Sequence, residues 1–239
     1  MDLLTAVAAW FGDPAHWTGT SGILNRTVEH LALSAVSIAA ALAVAVPLGL
    51  LIGHTGRGAF LTVSIANLGR SIPSYALLII FVTFFGIGFG AAFPALVVLA
   101  IPPILTNTYV ALREVDRDMV EAGRAMGMGE AQLLRRVELP IAVPVVIAGI
   151  RVAAVQVVAT ATLAALVGGG ALGRFIVDGF ALRQQDQLVA GAILVALLAL
   201  LTERSFTWLE RRLVSPGLRR TANLRGEILN MPEASGAPG

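Results

Sequence analysis

The chain has 239 residues, 56% of them hydrophobic and only 13% charged, with a formal net charge of +2 and a mean hydropathy of +0.81. Soluble domains carry about 25% charged residues, so a soluble globule is excluded for want of polar surface and the chain falls in the membrane class. Cysteine is absent and all 17 basic residues are arginine, which excludes disulfides and thiolate metal sites, Schiff-base chemistry and a Walker A loop, whose lysine reaches the phosphates.

The N-terminal MDLLTAVAAWFGDPAHW lacks a basic leader, and Asp13 and Pro14 interrupt its apolar run. It reads as a short interfacial segment, with Trp10 and Trp17 at headgroup level, within an extracytoplasmic segment 1–29. A transmembrane region 30–212 follows. Leu31–Gly53 holds no Asp, Glu or Arg and predicts one span. Ser71–Leu112 holds none either and is too long for one crossing; the glycines and proline of GIGFGAAFP (86–94) divide it into two. Gly58–Gly69 is also apolar, and one helix over 58–88 measures roughly 46 Å, so tilt or a break near Pro73 is expected. Val152–Gly173 predicts a fourth span, starting near Pro144 with Arg151 in its first turns. Gln187–Thr202, extended to about Phe206, predicts a fifth. The fold class is therefore all-α and polytopic, with about five transmembrane helices. The polar tail 213–239 is expected to be disordered.

Arginine asymmetry sets the orientation. With the N-terminus outside, Arg57, the loop arginines 113, 117, 124, 135 and 136 and six C-terminal arginines all face the cytoplasm. Only Arg26, Arg174 and Arg183 face out, which predicts N-out/C-in.

That orientation makes 113–140 the sizeable cytoplasmic loop. Asp116 and Asp118 suit a helix start. Val120, Ala122 and Ala125-Met126 give it an apolar patch, and Gly127 and Gly129 permit a sharp turn. A second helical stretch, GEAQLLRRVEL, runs to Pro140, where it ends or bends. The outline is helix–turn–helix, which serves equally as a plug for a partner's groove or as a solvated connector.

Glu121-Ala122-Gly123, three residues, Gly127, nine residues and Val137-Glu138-Leu139-Pro140 resemble the "EAA" loop of the permease subunits of binding-protein-dependent ABC importers. That pattern reads E-A-A, three residues, G, nine residues, I-x-L-P. Gly123 and Val137 depart from it. NLGRSIPSYALL (67–78), PPILTNTYVALREVDRDMVEAGRAMGM (102–128), LPIAVPVVIAGIRVAAV (139–155) and TATLAALVGGGALGRFI (160–176) are similar to the osmoprotectant branch: the glycine betaine, choline and carnitine uptake systems. The resemblance covers roughly residues 20–210. It implies a type I importer permease fold with no ATPase of its own and no cofactor. The implied partners are ATP-binding cassette subunits, a second permease copy or a related permease, an extracytoplasmic substrate-binding protein and the bilayer; nucleic acid is not among them. Residue by residue, it makes Glu121, Ala122, Gly123 and Gly127 the ATPase-coupling positions, with Met126 and Met128 as apolar contacts. It sets the protein in the cell membrane as a multi-pass subunit.

Ionisable groups at membrane depth face a protein interior or an aqueous path. Arg70 either meets a substrate carboxylate or a partner's acid, or snorkels to the interface beside the helix break. Arg151 is expected to support the loop through carbonyls or Glu138. Thr160 and Thr162, in a small-residue stretch suited to close packing, and Tyr75 are, with Arg70, candidates for the translocation path. Quaternary ammonium groups favour aromatic cages, and with only two tyrosines here the cage is expected on the binding protein. His16, His30 and His54 show no metal-ligand spacing and read as interfacial or solvated. No catalytic or metal set is apparent. The competing reading is a secondary transporter or channel for a small cation, which needs an intramembrane acid to hold its coupling ion; the acids here lie in loops, termini and span edges.

Overall fold

The computed structural model describes residues 2–213, and among the described residues every regular element is helical. Four helices are long and apolar enough to cross a membrane: Ile23–Thr55, Phe89–Arg113, the continuous helical run Glu130–Val167 and Gln185–Arg212. The second expected span is two short helices, α3 (Ala59–Ser71) and α4 (Ser74–Phe85), broken at Ile72-Pro73. Pro73 disfavours a helical Ile72 and then suits the start of α4. Twelve residues in α4 reach about 18 Å, less than the hydrocarbon thickness.

The first helix, α1 (Leu3–Gly12), lies against α10 (Gln185–Leu213). Trp10 is packed inside the protein. It is 6% exposed, edge-on to Phe175 with ring centroids 5.4 Å apart and stacked on His16 at 4.3 Å. His16 is half-buried and bonds the Trp10 carbonyl through Nδ1. Trp17 stays partly exposed and donates Nε1–H to the Phe11 carbonyl.

The second helix, α2 (Ile23–Thr55), packs along α5 (Phe89–Arg113), and α5 packs in turn on α8 (Leu139–Ala161). Ala41, Ala45, Gly49 and Gly53 recur every four residues on α2 and are buried, the small-residue stripe by which helices approach closely in lipid. A Cβ on Gly49 would sit 2.6 Å from Thr108 Cβ, and one on Gly53 2.8 Å from Leu112 Cβ. Leu78, Leu96, Ile104, Leu105 and Val157 fill the core formed with α4 and α8. Prolines 47, 94, 102, 103 and 144 all lie inside helices. Each removes a ladder donor, which a membrane helix tolerates where neighbours resatisfy the freed carbonyl.

The fourth span is displaced from its expected place. α8 runs Leu139–Ala161, and a 3₁₀ turn, Thr162–Val167, ends at Gly168 in the left-handed region. Arg151 therefore lies mid-helix. It does not support the loop: it pairs with Glu210 (3.3 Å) and Glu203 (3.6 Å) and donates to Thr207. Those three residues form one face of α10, and their two carboxylates are what allow a charge at that position. α9 (Gly173–Ala181) completes the chain between the 3₁₀ turn and α10. The tail expected to be disordered, from 214 onward, lies outside the described residues.

Replacing Gly49 by valine is expected to force α2 off Thr108 and lower stability by about 1–3 kcal/mol, read as a lower thermal midpoint in detergent. Gly12→Ala, whose Cβ enters open space, leaves the midpoint in place.

Candidate functional site

The loop begins where α5 stops. The Asp116 carboxylate accepts from the Asp118 N–H at 2.9 Å and caps α6 (Arg117–Ala125), the reason an aspartate stands just ahead of the helix. Val120 and Gly123 turn inward, whereas Glu121, Ala122 and Met126 are exposed, Met126 by 72%. Met128 is half-buried. Gly127 adopts φ +82°, and the Met128 N–H returns to the Gly123 carbonyl at 3.1 Å. The turn leads into α7 (Glu130–Leu133), where Gln132 accepts from the Gly129 N–H. Leu133 is fully buried, and a Cβ on Gly123 would stand 2.5 Å from its Cδ2. A glycine where the motif has its second alanine thus makes room for Leu133.

Arg124 clasps α6 to α7. Its Nε and NH2 donate to the two oxygens of Glu130 at 3.0 and 3.1 Å, the bidentate geometry that arginine favours. The hydrogen bond, and then the opposite charge, raises the Arg124 pKa; Arg124 likewise holds Glu130 below its ordinary value of 4.5.

Glu130 also meets α2. His54, on the last turn of that helix, presents Nε2 to Glu130 Oε2 at 3.1 Å and Nδ1 to Glu138 Oε2 at 2.6 Å. Glu138 is 5% exposed and closes a π-helical turn, Leu134–Glu138, between α7 and α8. A π turn carries one extra residue and re-aims its side chains. It also lets the helix pass Pro140 without stopping. His54 is therefore not solvated, and neither is His30, which is fully buried with Nε2 on the Val158 carbonyl at 2.8 Å. Both escaped the sequence reading. The available signal was Glu138 itself, since an acid opening an apolar run requires a partner at the same depth.

Between α3, α5 and α8 lies an open cavity of about 360 Å³ lined by Gly69, Ser74, Pro102, Thr106, Gln156 and Thr160, among others. Thr160, one of the candidates for the translocation path, is among the lining residues. Tyr75 is exposed beside Ser74 but is not in the lining. Arg70 is on the last turn of α3, and its side chain lies outside what the structure describes. Thr162 is elsewhere: its hydroxyl is buried without a partner among the described residues. Thr106 likewise has a buried hydroxyl without a hydrogen bond, and it points to the cavity's polarity. Gln156 is a lining residue the sequence reading missed. Hydroxyls and a carboxamide stand among the described lining residues.

At the opposite end of α2, Glu29 accepts from Arg26 (2.7 Å), from Asn25 (2.9 Å) and from the Ala171 N–H (2.9 Å). Ala171 is held at φ +69°, a left-handed conformation that strains a residue bearing a Cβ. The Gly88 N–H donates to the Val167 carbonyl at 2.6 Å, so the α4–α5 turn, the glycine-rich loop and the start of α2 meet at one point.

This arrangement of membrane helices, with a clasped helix–turn–helix ahead of α8, is that of a type I ABC importer permease. The chain belongs to the family described as binding-protein-dependent transport system inner membrane component, which matches residues 45–215, and it is a multi-pass membrane protein. It is 36% identical to the choline transport system permease protein OpuBB of Bacillus subtilis, over 87% of this chain and 95% of that one. It is 38% identical to the carnitine transport permease protein OpuCB of Listeria monocytogenes, over 90% and 97%. Among solved structures, the MetNI methionine ABC transporter in inward facing conformations superposes with a TM-score of 0.72 at 29% identity, over 81% of this chain and 97% of that one. An amino acid ABC transporter at 17% identity shares the fold, with a TM-score of 0.66 over 89% and 99%.

Glu130→Ala is expected to unclasp α6 from α7 and speed trypsin cleavage after Arg124 by a few-fold, measured on vesicles exposing the loop. With Glu130 depressed, the clasp's contribution is complete above the ordinary carboxylate range. It is lost as pH falls through the lowered value, so wild type and variant converge in acid and differ at neutral pH.

Proposed function

We propose that the chain is the permease subunit of an ATP-driven importer for a compatible solute such as glycine betaine, choline or carnitine. The observation that carries this is the loop. Its motif spacing, its exposed Glu121, Ala122 and Met126 and its sharp Gly127 turn give a small rigid projection suited to an ATPase groove. Gly123 and Met128 support that projection from beneath. ATP hydrolysis belongs to cassette subunits, since these residues contain no lysine for a phosphate loop. A substrate-binding protein delivers solute on the other side, and a second permease, identical or related, closes the path.

In this reading α3 and α4 together make one crossing, so the chain crosses five times with the N-terminus out and the loop and C-terminus in. Arg70, Tyr75, Thr160 and Thr162 belong to the path region, with Thr160 and the cavity at its centre. The relatives named for choline and carnitine transport support the solute class. ATP binding draws the cassettes together, the docked loops follow, and the helices exchange between two states that the nucleotide populates differently.

The test is uptake of labelled glycine betaine and choline into vesicles holding the permease, its cassette subunit and its binding protein. Glu121→Ala/Gly127→Pro is expected to abolish ATP-dependent uptake while the helices remain assembled. Uptake that continues without the cassette subunit and ignores both substitutions refutes the reading. Trypsin, which here cleaves only after arginine, is expected to cut 113–140 in inside-out vesicles and to spare it in right-side-out ones.

A further inference from the structure

We infer that His54 is a positioning residue of energy coupling: its ring fastens the loop to the end of α2, so that displacement of α6 is delivered to that helix. The inference rests on the loop being the ATPase-docking element.

Among the described residues, the loop's other side-chain attachments to the long helices are apolar. Val115 and Val120 are 3% exposed, and Leu134 packs with Ala111, Leu112, Ala142 and Val146 at the base of α5 and α8. Such contacts are non-directional and permit sliding. The connection through His54 does not. Arg124 on α6 holds Glu130 on α7, Glu130 holds His54 on α2, and His54 holds Glu138 on the π turn. The links of Arg124 to Glu130 and of His54 to Glu138 are hydrogen bonds with a fixed length and direction, and between them the His54 Nε2 lies 3.1 Å from a Glu130 oxygen. Carboxylates only accept, so the ring nitrogen that meets Glu138 is the donor.

Stability alone does not account for the joint. Glu138 is 5% exposed and the His54 side chain 13%, and an apolar pair of similar size holds two helices together without desolvating a charge. What a polar joint adds is a defined position. The rod it grips is suited to transmission: α2 has 33 residues, about 50 Å of helix, locked to α5 at Gly49 and Gly53. Its far end carries Glu29, which holds Ala171 in a strained turn. A shift of α6 thus has a continuous route to the opposite end of the molecule.

The experiment reconstitutes the complete transporter and measures solute imported per ATP hydrolysed. His54→Leu/Glu138→Leu removes both buried partners together and strands no charge. It is expected to co-purify with the cassette subunit and hydrolyse ATP, with solute per ATP reduced about tenfold. His54→Arg, which keeps donors for both carboxylates, is expected to restore most of the ratio, a rescue that a packing role does not give. His54→Gln, which keeps the size of the side chain but offers one donor group, is expected to fall between them and decides the matter if the double variant does not assemble. An unchanged ratio in the double variant, or in His54→Gln, overturns the inference, as does failure of arginine to rescue. Glu121→Ala/Gly127→Pro, run in parallel, separates the two readings. If it too imports normally, the docking role of the loop is wrong; if it fails while the His54 variants transport normally, only the joint is wrong.

Discussion

The distance between α2 and α5 governs the rest of the fold. In a bilayer the lipid is as apolar as leucine, so helices associate through contact and not through exclusion of water. Gly49 and Gly53 bring the α2 backbone within reach of Thr108 and Leu112. With that contact made, α5 is fixed on one side by α2 and on the other by α8, and the loop is launched from the end of α5 at a set height. That height is what brings Glu130 and Glu138 level with His54. The polar joint is a consequence of glycines that carry no chemistry of their own.

Much of this was legible from the distribution of charge. The uncharged stretch over 31–53 became α2, the break expected near Pro73 is there, and Asp116 caps the helix that its position announced. The motif spacing over 121–140 located the loop, and the glycine and proline run over 86–94 located the α4–α5 turn. These signals are local: a cap, a proline or a missing charge acts within a few residues of itself.

What stayed hidden is long-range pairing. His30 finds the Val158 carbonyl across 128 residues and His54 finds Glu138 across 84, and no periodicity encodes either match. Arg151 misled for the same reason. Taken alone, a mid-membrane arginine looks like the start of a span, and the expected helix was placed too far along the chain. Its counter-charges, Glu203 and Glu210, sit on a helix that the chain reaches much later. Trp10 was read by its amphipathic chemistry, but Phe175 and His16 enclose it.

The π turn over Leu134–Glu138 has a further effect on the helical run that contains it. One added residue advances the phase of everything beyond it by about 100°. Counted with that step, Gln156 and Thr160 on α8 fall within about 20° of Glu130 around the run, so the side of α7 that meets Arg124 and His54 continues into the side of α8 that lines the cavity. The turn thus sets how the residue that meets His54 is aligned with the residues that line the cavity, and removing its extra residue would rotate one set about 100° from the other.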